Sequence, residues 1–452
     1  MAKATRNGKV LAAGISRRLF GGVLEEKGKG FLPALELFTL IEGTRLQAED
    51  DEECNRLVLP DETEHLKYVR RSHDFIRRLV WDPDSVEVEA NSFLLDSDSR
   101  ETMRALFESL AVPMGTRKSV QWKNSYFQPY VRELIHYDVA TRGSKLSVER
   151  VNFRGSGALV HKILRSDPNK ERLQRIRKLL VNLYPTDAGP VGRLAAAMHA
   201  HDTAQPKTHE DDNEVQARLF GDVWEERLIA GFENILSHES LAPAARIQAL
   251  MHWVAFSLIR MQLARARTRI GRDHEDFLIV DMGQLPGQLR RESTRSLKAA
   301  LSDIGLAMES EARNVREGAT AEGETSAGED ADPQDSWHRA FRNFFSGTAA
   351  AIGFLNAPSG KRHFTLKLDL LQTLVLAALP PGKRELTFEE FCSDVLYGEW
   401  GLVLNSRTAA DAGLLDKLNG SIFDKNAESL AKELRHIDLL TEYSDHTRMI
   451  HA

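Results

Sequence analysis

Apolar positions recur at helical spacing along most of the chain, and the few departures from that period mark candidate strands. Residues 31–41 read as a helix, followed by an acidic loop at 49–53. Over 63–80 the apolar Leu66, Val69, Phe75, Ile76 and Leu79 share one helical face, while Lys67, Arg70, Arg71, Arg77 and Arg78 occupy the other. A further amphipathic helix spans 96–110 and is stopped by Pro113 and Gly115.

The next stretch changes period. Residues 137–141 and 146–151 flank Arg142-Gly143-Ser144-Lys145, where Gly can take the positive φ of a tight turn, so a hairpin is expected. Gly155-Ser156-Gly157 then opens a helix with apolar Leu159, Val160, Ile163 and Leu164; a turn before a helix explains the glycines better than a phosphate cradle. After Asp167-Pro168 another helix turns Leu173, Ile176, Leu179, Leu180 and Leu183 inward and sets Arg172, Arg175 and Lys178 in a ridge. Residues 199–213 are polar and read as a loop or domain junction.

Long helices follow at 219–237 and 243–269, the second apolar on more than one face and hence buried on several sides. Phe277-Leu278-Ile279-Val280 is a short apolar run fit for a buried strand. Residues 317–336 are the clearest linker: seven of twenty are acidic, and none is basic or aromatic. Beyond it come helices at 364–379, after the Thr387/Glu390 capping box, near 408–418 and from about Asn426. A hairpin of 440–443 and 447–450 closes the chain, giving the element order of a winged helix.

The expected fold is therefore α+β and mainly α-helical, with helical N-terminal and central regions, small β-hairpin elements and a C-terminal winged-helix-like domain. The expected segments are an N-terminal α+β domain with a basic surface (1–198), a central helical region (199–316), a disordered acidic linker (317–336) and the C-terminal domain (337–452). Length and a 42% hydrophobic content support two or three packed domains. Cys54 and Cys392 are isolated, which argues against a disulfide framework or structural zinc and fits a reducing compartment. With no apolar run at the N-terminus and no segment apolar enough to span a bilayer, a cytoplasmic protein is expected.

Charge changes the picture most. Residues 117–178 hold fifteen Lys and Arg against five Asp and Glu, net +10 in a chain of −6. Such segregation points to a polyanionic partner. The candidate nucleic-acid contacts are Arg117, Lys118, Lys123, Arg142, Lys145, Arg154, Arg165, Arg172, Arg175 and Lys178. Trp122, Tyr126, Phe127 and Tyr130 lie among the cations, placed to stack on bases or, equally, to fill a core. The segment 383–452 is −5, which favours protein docking over DNA contact there.

Enzymatic motifs are sparse: Walker A, GxGxxG, GxSxG and HExxH patterns are absent. His199, His201, Asp202, His209, Asp211 and Asp212 have ligand chemistry but sit in a polar loop with no second set downstream. Asp276 and Asp281 flank the short strand where a metal-dependent nuclease would place carboxylates, yet no Glu-x-Lys partner is evident. Arg290, Arg291 and Arg295 form a basic knot suited to phosphate or to internal salt bridges. No catalytic residue, metal or cofactor is assigned.

Several stretches resemble one family: Gly155-Ser-Gly-Ala-Leu-Val-His-Lys-Ile-Leu-Arg165, Asp276-Phe-Leu-Ile-Val-Asp-Met-Gly283 with Leu289-Arg-Arg-Glu-Ser-Thr294, Leu396-Tyr-Gly-Glu-Trp-Gly-Leu-Val-Leu404 and Tyr443-Ser-Asp445. They resemble accessory subunits of bacterial anti-phage defence systems linked to DNA phosphorothioation or methylation. That resemblance implies a setting, a complex with a HerA/FtsK-like ATPase and a nuclease, and no catalytic residues. The expected function is a non-catalytic DNA-binding and scaffolding subunit; the alternatives are a metal-dependent nuclease using Asp276 and Asp281, or a pure protein scaffold.

Overall fold

A computed structural model describes residues 2–48, 51–61, 66–81, 96–112, 126–137, 139–142, 145–148, 153–184, 189–201, 207–210, 212–283, 287–321, 334–380 and 385–452. At 63% helical with few strands, the chain is α+β weighted to α, as its periodicity predicts. It divides into two compact units, each assembled from separated stretches. The larger holds Met1–Gly30, Gln216–Ser240 and Gln248–Ala452; the smaller holds Phe31–Val215 and Leu241–Ile247.

Helix α1 (Ala2–Phe20) opens the chain and belongs to the larger unit. The smaller unit is built on α2 (Leu32–Arg45), which has Pro33 at its first turn and thirteen of its fourteen residues buried. After it come α3 (Asp51–Leu57), β1 (Lys67–Arg70), α4 (Asp74–Trp81) and α5 (Ser97–Ser109). The expected hairpin forms as β2 (Val139–Arg142) against β3 (Lys145–Val148), with Arg142 opposite Lys145. Helices α6 (Ser156–Arg165), α7 (Lys170–Val181) and α8 (Gly189–His199) and strand β4 (Lys207–Glu210) complete the unit.

The single helix expected over 63–80 is not there. Residues Lys67–Arg70 form β1, antiparallel to β4, with Lys67 opposite Glu210 and Arg70 opposite Lys207. Adjacent Tyr68 and Val69 are both buried, so the strand is covered on both faces and cannot show strict alternation. Its partner lies far along the chain, in the stretch whose polarity reads as loop. The basic face drawn on that helix disappears with it. The Arg71 Nη1 donates to the carbonyls of Arg132 (2.7 Å) and Ile135 (2.9 Å), Arg77 is buried against His136, and Arg78 pairs with Asp74 at 3.1 Å.

In the larger unit, α9 (Val223–Ser237) is capped by Asp222, whose carboxylate accepts from the N–H groups of Trp224 and Glu225. Helix α10 (Pro243–Arg269), whose residues from Gln248 onward belong to this unit, is buried at every position from 249 to 263, as its apolarity on more than one face predicts. The expected strand forms as β5 (Leu278–Ile279), followed by α11 (Gln288–Ala321) and α12 (Gln334–Ala351). The acidic linker of 317–336 lies largely outside the described residues; α11 reaches Ala321 and α12 starts at Gln334.

The C-terminal elements are α13 (Leu368–Ala378), β6 (Glu385–Thr387) and α14 (Phe388–Glu390), the last continuing as a π-helix over Phe391–Glu399. The Thr387/Glu390 capping box is present in both directions. Strand β7 (Leu402–Val403) pairs in parallel with β5, and then come α15 (Ser406–Asp411) and α16 (Gly420–His436). Strands β8 (Leu440–Glu442) and β9 (Arg448–His451) form the expected hairpin, and β6 joins it in a three-stranded antiparallel sheet of order β6-β9-β8.

The helix placed near 408–418 stops at Asp411, and α16 begins at Gly420, before Asn426. Asn426 is buried at 3% exposure and ties three segments together. Its Nδ2 donates to the carbonyls of Val280 and Leu404, both at 2.9 Å, and its Oδ1 accepts from the Met282 N–H at 2.7 Å. A residue that resembles a helix start is thus a packing staple inside the helix.

Candidate nucleic-acid interface

The basic stretch is carried by α6 and α7, and the first question is which of its cations face outward. Helix α7 starts on an Asn169 cap, whose side chain accepts from the Arg172 N–H at 3.0 Å. Leu173, Ile176 and Leu180 point inward as the period requires. Arg177 goes in with them, donating to the Leu59 carbonyl and reaching Asp61 at 2.6 Å.

The expected ridge on α7 is interrupted at its first member. Arg172 is held bidentate by buried Asp167, Nε to Oδ2 at 2.5 Å and Nη2 to Oδ1 at 2.8 Å. Arg175 and Lys178 are exposed, as is Lys170 at the start of the helix. The outward basic face of α7 is therefore Lys170, Arg175 and Lys178.

Arg165 does not reach the surface. It is 5% exposed, paired with Glu214, and donates through Nη1 to the Pro60 carbonyl at 2.9 Å. His161 lies 3.4 Å from the other Glu214 oxygen. Burial pushes the Glu214 carboxyl up, but His161 and Arg165 outweigh it and hold the group below the ordinary range. Lys162 donates to the Glu214 backbone carbonyl at 3.3 Å, and burial pulls its ammonium down. Arg132 donates to the Val181 carbonyl at 2.9 Å and lies over the Tyr184 ring. These cations hold the unit together.

Of the other candidates, Arg154 is half-buried. Arg142 and Lys145 sit opposite one another at the turn end of the β2–β3 hairpin. Arg117, Lys118 and Lys123 fall outside the described residues, as does Trp122. Tyr126 and Phe127 are both 1% exposed, and Tyr126 stacks on Phe153 and His136. These two rings fill the core and offer no platform for bases.

The Gly155-Ser156-Gly157 turn resolves clearly. Gly155 has φ +93°, and the chain enters α6 from there. The anion-binding position at that helix start is filled by the protein's own Glu36, a fully buried residue of α2. Its Oε1 accepts from the Gly155 N–H at 2.9 Å and from the Tyr68 hydroxyl at 3.1 Å; its Oε2 accepts from the Gly157 N–H at 2.7 Å. A Cβ on Gly157 would lie 2.3 Å from the Pro33 carbonyl oxygen, so this glycine permits α6 to meet α2 backbone to backbone. A phosphate has no room where a carboxylate already sits.

The carboxylates of the nuclease reading are also engaged. Asp281 is 4% exposed; it accepts from the Arg290 Nε and the Gly283 N–H, and His363 lies 3.8 Å away. Asp276 accepts from Arg260 at 3.0 Å, with Arg267 at 3.7 Å. Arg290 and Arg295 of the basic knot are committed to Asp281 and Glu292. Of the other ligand-like cluster, His199 contacts two backbone carbonyls and His201 stacks on Phe75. Asp202 and Asp211 fall outside the described residues. Among the described residues no group of three or more His, Cys, Asp or Glu is placed to hold a metal ion, and no helix is long and apolar enough to cross a membrane.

Sequence reasoning missed Glu36 and Glu214, the two buried carboxylates that organise this region. Glu36 carries a signal in hindsight: it interrupts an otherwise apolar run, Leu32-Pro-Ala-Leu-Glu-Leu-Phe38. Comparison of the chain with family models, with curated proteins and with solved structures returns no match.

Proposed function

We propose that this chain is a non-catalytic subunit that contacts nucleic acid through the outer face of α7 and docks a protein partner through its C-terminal helices and hairpin. The carrying observation is that Lys170, Arg175 and Lys178 remain exposed while the neighbouring Arg165 and Arg177 are buried and the half-buried Arg172 is held by Asp167. A short row of cations on a rigid helix suits phosphates, contributes affinity, and reads no sequence. Duplex DNA is the partner this reading favours, with the β2–β3 hairpin carrying Arg142 and Lys145 as a second contact.

The C-terminal order of helix, strand, helices and closing hairpin, with β6 paired to β9, is read as winged-helix-like. Its ion pairs, Arg435–Glu442 at 2.9 Å and Arg448–Glu428 at 2.6 Å, neutralise part of α16, so this region is assigned to protein contact. The setting is a cytoplasmic bacterial anti-phage defence complex with a HerA/FtsK-like ATPase, a proposal that rests on the resemblance of the four sequence stretches.

Fluorescence anisotropy of the full chain with labelled duplex DNA across a salt series tests the first half. The double reversal Arg175→Glu and Lys178→Glu should weaken binding about tenfold or more and reduce the salt slope by about two. Unchanged affinity and slope sink the DNA reading. A partner complex that survives nuclease treatment in a pull-down then supports the scaffold reading, which the inward pairing of so many arginines favours.

A further inference from the structure

The larger unit carries a second concentration of positive charge, split between two stretches of chain. Residues 287–302 hold Arg290, Arg291, Arg295 and Lys298 against Glu292 alone. Residues 336–368 hold Arg339, Arg342, Lys361, Arg362 and Lys367 with no carboxylate at all. Nine cations thus stand against one acid in a chain whose net charge is −6.

The fold lays these stretches side by side. Helix α12 runs along α11: His338 Nδ1 lies 3.3 Å from the Glu309 carboxylate, and a Cβ on Gly305 would lie 3.8 Å from the Arg342 side chain. The turn after α12 then folds onto the start of α11. There the Ser293 hydroxyl donates to the Phe364 carbonyl at 3.2 Å and accepts from the Phe364 N–H at 2.9 Å. The Asn356 side chain closes the base of that turn by accepting from the His363 N–H at 2.9 Å, and the tip leaves Lys361 exposed. Helix α1, which also packs on α11, has five cations and no carboxylate.

At 3.6 residues per turn, Arg291, Arg295 and Lys298 fall within an arc of about 60° and along about 10 Å of α11. Ser293, Leu297 and Ile304 occupy its buried face. These three cations are exposed, as are Arg339 and Lys361, while Arg342 and Arg362 are half-buried. The nearby carboxylates are already engaged. Asp281 holds Arg290 at 2.8 Å, and Asp303 is fully buried against Arg267 and Arg272. Glu292 holds Arg295, whose side chain stays 73% exposed. Arg291, Lys298, Arg339, Arg342, Lys361 and Arg362 form no ion pair among the described residues. Cations in the first turns also oppose the helix dipole, and α11 has no acid in its first turn to offset them. The placement costs the helix and serves no partner within the unit.

We propose that this α11–α12 face binds the phosphate backbone of a nucleic-acid duplex. Arginine predominates in it, and the planar guanidinium meets phosphate oxygens in pairs. The apolar sides of both helices are turned into the core. Leu306 alone among their described large apolar side chains is exposed, so the face lacks the apolar stripe with which an interfacial helix enters a bilayer. Contact of this kind gives affinity that falls with salt and carries no base sequence. The inference stands apart from the α7 reading, because the two faces belong to different units and are tested by different variants.

The test measures fluorescence anisotropy of the full chain with labelled duplex DNA, and in parallel duplex RNA, across a salt series. The combined reversal Arg291→Glu, Lys298→Glu and Lys361→Glu should weaken binding at least about tenfold and reduce the salt slope by about three. The neutral set Arg291→Gln, Lys298→Gln and Lys361→Gln should weaken it by less, and it replaces the reversal should that variant fail to fold. On the unaltered chain, bound duplex should slow acylation of the Lys298 and Lys361 amines. Parent-like affinity and slope for both duplexes overturn the proposal, as do acylation rates that ignore the duplex. A loss confined to vesicles of anionic lipid assigns the face to a membrane and overturns it equally. The Arg175→Glu and Lys178→Glu reversal separates the two faces: parent-like binding there with loss here removes the α7 reading alone, and the opposite pattern removes this one.

Discussion

The charged residues of α6 and α7 and those of the C-terminal hairpin are of the same types, yet they do opposite work. Around α6 the ion pairs are interior: Arg165 and Glu214 have side chains 4% and 1% exposed, and Asp167 under Arg172 is fully buried. At the hairpin, Arg435 and Glu442 are 45% and 35% exposed. Solvent screens the second kind, so it contributes little to stability and stays adjustable. In the first kind, desolvation leaves no tolerance for a missing partner. A basic sequence is thus a poor guide to a basic surface: burial decides which cations are available to a ligand.

The sharpest way to break this contrast is Glu36→Ala. It removes the acceptor of the Gly155 and Gly157 N–H groups and of the Tyr68 hydroxyl, and should cost about 3–9 kcal/mol, at roughly 1–3 kcal/mol for each of the three bonds. Urea unfolding followed by circular dichroism measures it, and a loss below about 1 kcal/mol would contradict the interior assignment.

Glu214→Gln comes next, at about 3–5 kcal/mol, since it strands Arg165 and His161. It also carries a pH signature. The Glu214 carboxyl is held below the ordinary 4.5, so its contribution is full above that value and fades as the pH falls through the folded one. The variant should therefore show a flatter loss of stability on the acid side than the parent.

Two smaller effects complete the comparison. The Arg175→Glu and Lys178→Glu reversal should shift stability by no more than about 0.5 kcal/mol, because both side chains are exposed. Arg435→Ala should change stability by about 0.2–1 kcal/mol, and that change should shrink in high salt. An Arg435→Ala loss that matches Glu214→Gln would erase the distinction between the two regions.

Much of the secondary structure was legible. The apolarity of α10 on more than one face, the Thr387/Glu390 box, the β8–β9 hairpin and the Gly143-centred hairpin all follow from local pattern. The elements misread share one feature, a partner distant in the chain. Leu66 and Val69 fit a helix period as well as a strand, and only β4 decides between them. Asn426 looks like a helix start until Val280, Met282 and Leu404 converge on it. The candidate interface was legible as a charge excess, though its outward members were not.

By itself the sequence determined the helical weighting of the chain, its hairpins, its caps and the place of its charge excess, because each depends on residues a few positions apart. Only tertiary structure decided which arginines turn inward, that Glu36 occupies the start of α6, and that the rings of His73, His136 and His199, distant in the chain, pack against one another. Those outcomes depend on desolvation and on partners brought from distant parts of the chain, and local spacing carries no record of either.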